Sequence, residues 1–331
     1  MKYWLKLLIL LVISIFCFNK IPRTDSDEII EYDHEQQFDS HYWKGVCTSG
    51  REQSPINMTL YQLMLNNSLK FYNERISYND FTFDATIYAN PNYIKINGPS
   101  DSKKVAFSIT YNDSSTYDYK LDNIHFHSPS EHTIRSQKSN SQGYYDAEVH
   151  FVHTLLNGNL KRNKIVFGIF FYIGSSNDPW IDSLKLVDNH LLLVCNGTLN
   201  KACKDEYDPD EDHSYEYVVI PGLKSPRDIL LRANGTLYKY AGGLTTPTCD
   251  EIVNWYVFDS PLQITQATLN VLKYNTIRPD IDKVPEYNNR LIQQINNRII
   301  YVENSLIVMS KTPQYYMNAY SLFVFVILFL L

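Results

Sequence analysis

Between residues 41 and 175 the chain is cut into short segments in which apolar and polar residues alternate. TFDATIY, NYIKING, KVAFSIT, NIHFH, AEVHFVH and KIVFGIFFYIG all read this way, with Asn, Asp, Ser and Gly between them. A period of two suits a strand with one buried face; a helix would repeat its apolar residues every three or four. Strand-like segments return at YEYVVI, TLYKYAGGLTT and EIVNWYVF. The 26 tyrosines and 16 phenylalanines favour the same state. Helical spacing is confined to 178–195, through Trp180, Leu184, Leu186 and Leu191, and to 261–273, PLQITQATLNVLK. A mainly β (α+β) domain is therefore expected, with no internal repeat.

At 331 residues, 44% of them hydrophobic, the chain can bury a large core. A net charge of −6 without a basic stripe argues against a nucleic-acid partner. Both ends point outward from the cell. Residues 1–20 carry Lys2 and Lys6 before the apolar run Leu7–Phe18, the pattern of a signal peptide. Residues 21–40 are a polar arm. Residues 304–331 end in the apolar run Leu322–Leu331, short for a spanning helix and suited to a glycolipid (GPI) attachment signal, with Ser310, Asn304 or Ser305 as attachment residue. Glycosylation sequons begin at Asn57, Asn66, Asn112, Asn196 and Asn234. Once Cys17 leaves with the signal, Cys47, Cys195, Cys203 and Cys249 remain, and their spacing leaves all three pairings open. Residues 195–213 form an acidic insertion that reads as a solvated loop, and Cys195 and Cys203 at its start could pair locally.

Of nine histidines, three lie within LDNIHFHSPSEHTI, residues 121–134. On a strand, residues two apart project from one face, so His125 and His127 point the same way, about 7 Å apart along the chain. In AEVHFVH, Glu148, His150 and Val152 share one face and Val149, Phe151 and His153 the other. An imidazole from this second strand would complete three nitrogen ligands, the number that leaves catalytic zinc an open position. On its own, His-x-His on a strand more often marks surface or hydrogen-bonded histidines.

The motifs and their order add a second argument. REQSPIN (51–57), NIHFHSPSEHTI, AEVHFVH (147–153), GGLTTPTCDEIVNW (242–255) and NNRLIQQINNR (288–298) follow one another along the chain. In this the sequence resembles the α-class carbonic anhydrases, of the secreted or GPI-anchored extracellular type, over 41–303. The resemblance implies a single catalytic domain on a large, twisted, mostly antiparallel sheet with short peripheral helices. It implies Zn2+ held by His125, His127 and His150, and Thr245 as the hydroxyl that orients the attacking hydroxide, itself aimed by Glu131. Glu148, Asn288 and Asn123 match the groups that fix the ligand rings, with Asn123 standing where the family usually has Gln. Val152, Val166, Leu244, Thr246 and Trp255 match the pocket where carbon dioxide docks, and His132 matches a buried structural histidine. Cys47 and Cys249 match the disulfide of secreted members. The implied activity is reversible hydration of carbon dioxide to bicarbonate at the outer cell surface, with sulfonamides and anions as inhibitors and a lipid anchor to the membrane.

One departure bears on rate. ANPNYIKI (89–96) aligns with the turn that carries a proton-shuttling histidine in fast members, and it places Asn92 there. Asn cannot titrate near neutrality, so slow proton export is expected. The other reading is a cell-surface binding or adhesion module that keeps the fold without the catalysis. Such relatives typically lose a zinc histidine, and this chain keeps all three. A dimer through the acidic insertion is left open.

Overall fold

A computed structural model describes residues 43–59, 69–71, 74–89, 93–111, 113–189, 217–233, 235–274 and 287–304. The expected signal peptide, the arm, the acidic insertion and its cysteines, Asn92, the sequons at Asn66, Asn112, Asn196 and Asn234, and residues 305–331 lie outside this set. Asn57 lies within it, half-buried, with its Oδ1 accepting the Thr59 N–H at 2.9 Å.

The alternating segments form strands, as their period requires. They are β1 (Leu69–Phe71), β2 (Arg75–Tyr78), β3 (Thr82–Ala89), β4 (Ile94–Asn97), β5 (Phe107–Thr110), β6 (Thr116–His127), β7 (Ala147–Leu155), β8 (Lys164–Ile173), β9 (Tyr217–Lys224), β10 (Thr236–Gly242), β11 (Val253–Ile264) and β12 (Ile300–Asn304). All twelve belong to one sheet, whose main path runs β1-β12-β10-β11-β8-β7-β6-β4-β3-β9, with β5 joining β2 to β6. Most neighbours are antiparallel; β8–β11 and β1–β12 are parallel, so the sheet is mixed. Four helices accompany it among the described residues: α1 (Val46–Ser49), α2 (Pro179–Ser183), α3 (Arg227–Arg232) and α4 (Gln266–Tyr274). None of them is long and apolar enough to cross a membrane.

Two helical expectations are corrected. Among the described residues of the stretch 178–195, those at 178–189, helix is confined to Pro179–Ser183, started by Asp178, whose carboxylate accepts the Trp180 N–H at 2.8 Å. Lys185 takes a left-handed φ of 49°, a conformation that ends a helix. Trp180, Leu184 and Leu186 are still buried, so the apolar spacing marked packing rather than helix length. Within 261–273, residues through Ile264 belong to β11, and the helix starts only at Gln266. A bulge between Phe258 and Leu262 brings Leu262, Gln263 and Ile264 into register with Phe171, Tyr172 and Ile173 of β8. Cross-strand pairing there takes the backbone groups a helix would have used.

The central strands are buried on both faces. Val149, Phe151, Ile165 and Phe167 pack into one cluster; Val152, Val166, Trp255 and Tyr240 pack into another. The Cys47–Cys249 disulfide ties α1 to the loop after β10, 202 residues away, with Trp43 against it. In a chain-entropy treatment, closing so long a loop stabilises the fold by about 5 kcal/mol.

His153 belongs to the larger cluster's side of β7. It is fully buried, with Nε2 2.8 Å from the Tyr78 hydroxyl and its ring edge-on to Phe107 and Phe167. Burial pushes its pKa down to about 3, against about 6.5 for an unfolded histidine. The unfolded chain therefore binds the extra proton between these values, and stability falls as pH drops through that window. By pH 5 the loss from His153 is on the order of 2 kcal/mol. Denaturant unfolding of His153→Gln should show a shallower decline between pH 7 and 5 than the parent; parallel declines would contradict the assignment.

Candidate metal centre

The register of β6 on β7 sets His125 opposite His150 and His127 opposite Glu148. Directly paired residues leave the same face of an antiparallel sheet, so three imidazoles meet there. Their ring centroids are 4.7–5.2 Å apart, and one nitrogen from each lies within 4.8 Å of the others. His127 and His150 are wholly buried, while His125 is half-buried and marks the open side.

Hydrogen bonds decide which nitrogen of each ring turns inward. His125 Nδ1 donates to Asn123 Oδ1 at 2.9 Å, and His127 Nδ1 donates to the Asn288 carbonyl at 2.9 Å. His150 Nε2 donates to Glu148 Oε1 at 2.9 Å. This leaves Nε2 of His125, Nε2 of His127 and Nδ1 of His150 to converge, the last 3.3 Å from the first. His127 Nε2 is buried with no hydrogen-bond partner. Burial holds His125 well below its ordinary pKa, with His127 and His150 adding to the effect, and burial lowers His127 also. Neutral imidazoles present lone pairs, so this donor set suits zinc.

Glu148 underlies the arrangement. Its Oε1 also accepts His132 Nδ1 at 2.7 Å, and its Oε2 accepts the backbone N–H groups of Glu131 and His132 at 2.9 and 2.8 Å. Burial works to raise its pKa, but His132 and His150 overcome this and hold it well below the carboxylate range. His132 is a buried structural histidine, with Nε2 2.6 Å from the Tyr240 hydroxyl, which in turn donates to Ser54 Oγ at 2.9 Å. Asn288 fixes a ligand ring through its main chain. Its backbone carbonyl fixes His127, while its side chain accepts the Ser128 N–H at 2.7 Å and donates to the Phe126 carbonyl at 3.2 Å.

The expected contact between Thr245 and Glu131 is not made. Glu131 Oε1 accepts the Arg290 N–H at 2.8 Å, while Oε2 has no hydrogen-bond partner. Oε2 lies 3.5 Å from His127 Nε2 and 3.8 Å from His150 Nδ1, drawn toward the ring nitrogens rather than the hydroxyl. Thr245 is buried in the disulfide-tied loop, with Thr246 half-buried beside it. Val152, Val166 and Trp255 form one row across β7, β8 and β11, since Val152 pairs with Val166 and Val166 with Trp255. Trp255 stands edge-on to His150 at 4.7 Å, and Leu244 packs against the same cluster. An apolar wall thus adjoins the imidazoles.

Three contributors escaped the motif reading. Arg290 is buried and donates to Gln53 Oε1, the Ser54 carbonyl and the Cys47 carbonyl, with its guanidinium 5.2 Å from the Trp43 ring. Burial lowers its pKa to about 10, opposed by Glu131. Gly168 pairs with His150, and a Cβ there would stand 2.8 Å from Glu148 Oε1. A glycine inside the apolar run KIVFGIFFYIG is the signal for such a close approach. Tyr240 carried no signal beyond its strand.

Comparison with known proteins agrees with this geometry. The sequence matches the family described as eukaryotic-type carbonic anhydrase over residues 36–304. It is 30% identical over 215 residues to alpha carbonic anhydrase 6 of Arabidopsis thaliana, covering 65% of this chain and 64% of that protein's length. It is 28% identical over 244 residues to dioscorin DB3L of Dioscorea polystachya, covering 72% of this chain and 74% of the relative. Among solved structures, a hyperthermostable carbonic anhydrase from an active hydrothermal vent chimney superposes with a TM-score of 0.57 at 21% identity. The superposition covers 82% of this chain and 99% of that one, a likeness of fold.

Glu148→Gln would put an amide where one oxygen must accept two ring N–H groups. Zinc affinity, measured by competition with a chelator, should weaken about 10- to 100-fold. Unchanged affinity would contradict Glu148 as the group that orients His150.

Proposed function

The chain belongs to the eukaryotic-type carbonic anhydrase family, and from that premise we propose that it catalyses reversible hydration of carbon dioxide to bicarbonate and a proton, with zinc held by His125, His127 and His150. The observation that carries the proposal is the convergence of three imidazole nitrogens whose opposite ring positions are already held. Zinc in such a site supplies a Lewis acid that lowers the pKa of water from 15.7 to about 7, making a nucleophile available at neutral pH.

The protein's own groups supply the rest. Carbon dioxide is small and apolar, so Val152, Val166, Leu244 and Trp255 hold it against the imidazoles by excluding water, with Thr246 at the rim. Thr245 orients the attacking oxygen by accepting its proton in a hydrogen bond; Glu131 Oε2, which faces the imidazoles here, would turn toward the hydroxyl to take the Thr245 proton. Glu131 Oε2 is buried without a hydrogen-bond partner and has the accepting capacity this needs. Asn123, the Asn288 carbonyl and Glu148 keep the rings from turning. With Asn92 at the shuttle position, the released proton leaves through external buffer. The Cys47–Cys249 disulfide and the sequons support passage through an oxidising, secretory compartment to the outer surface, and the apolar run Leu322–Leu331 is the support for a lipid anchor there.

Stopped-flow measurement on the folded, zinc-loaded protein tests this. Carbon dioxide hydration should be fast, blocked by a zinc-binding sulfonamide, and reduced to the uncatalysed rate in His150→Ala. It should also rise with buffer concentration and respond to added imidazole. Absence of hydration would overturn the enzymatic reading in favour of a binding module.

A further inference from the structure

β4 borders the metal centre on its open side. Ile94 and Ile96 are buried in the larger apolar cluster, so Lys95 and Asn97 leave the opposite face of the strand. In the β4–β6 register, Lys95 pairs with His125 and Asn97 with Asn123. Directly paired residues on antiparallel strands project together, with Cβ atoms about 4.5–5.5 Å apart. Lys95 therefore emerges beside His125, the half-buried imidazole of the cluster. The Tyr93 ring lies next to the same place, 5.1 Å from the His125 ring and 6.2 Å from that of His127. The wall opposite is apolar, formed by Val152, Val166 and Trp255.

We propose that Lys95 is a specificity-determining residue, a fixed cation at the mouth of the imidazole cluster that strengthens binding of small monovalent anions there. The inference rests on the metal-centre reading above. Its physical basis is Coulombic. The cation of a half-buried residue beside an apolar-walled cleft acts through space on a charge entering it. An anion entering the cleft gains from the lysine, whereas neutral carbon dioxide does not. Lys95 would thus tune retention of the bicarbonate product and sensitivity to inhibitory anions without touching the apolar docking wall.

Cobalt(II) substitution provides a readout separate from turnover, because its visible absorption changes when an anion joins the coordination shell. Thiocyanate is the probe, titrated into the cobalt-loaded parent and into Lys95→Met and Lys95→Arg, all checked for unchanged melting temperature. Lys95→Met should bind thiocyanate about three- to tenfold more weakly than the parent. Lys95→Arg should stay within about twofold, and the difference between Met and parent should shrink at high salt. Equal affinity in all three proteins with full cobalt uptake would overturn the role of Lys95 and leave the metal centre standing. Equal weakening in Met and Arg would assign the effect to shape and overturn the charge argument. Failure of the parent to take up cobalt would overturn the metal centre itself, and the inference with it.

Discussion

The register between β6 and β7 is the constraint on which the site depends. One pairing sets His125 against His150 and His127 against Glu148. A slip of one residue would turn every side chain of a strand to the other face, sending the histidines into the aromatic cluster around His153. That slip is opposed from both sides. Val149 and Phe151 are buried in one cluster and Val152 in the other, so neither face tolerates exchange. β8 and β11 extend the same rows, which is why the apolar wall stands level with the imidazoles.

On this frame a buried carboxylate does what strand geometry cannot. A strand directs a side chain to a face but does not choose the nitrogen a ring presents. Glu148 chooses it for His150, and the four contacts it accepts keep it ionised within the core. Unpaired, a buried charge costs several kcal/mol; here His132 and two backbone amides satisfy it, and Tyr240 continues the network outward. Gly168 leaves the space. Arg290 holds Glu131 through its backbone and the disulfide segment through its guanidinium, joining the N-terminal motif, the loop after the histidine strand and the last motif.

The strands and the trio of histidines were legible because their information is local. A period of two locates the faces, and His-x-His followed by a second histidine strand brings the right nitrogens near one another. The helices read less well. Apolar spacing at Trp180 and Leu184 reports burial, but only the left-handed Lys185 reports that the helix has ended. The rest depended on tertiary structure. Tyr240 meets His132 across 108 residues, and the Arg290 N–H meets Glu131 across 159. No local pattern carries contacts of that range. The motifs also implied a pair between Thr245 and Glu131, whereas the carboxylate oxygen faces the imidazoles instead.

X-ray absorption at the zinc edge tests the central claim most directly, since it reads ligand type, number and distance without turnover. For protein loaded with one equivalent of zinc, the account predicts three imidazole nitrogens at about 2.0–2.1 Å and one further light ligand, with no sulfur. A shell containing sulfur, or one of mainly carboxylate oxygens with fewer than three imidazoles, would contradict it.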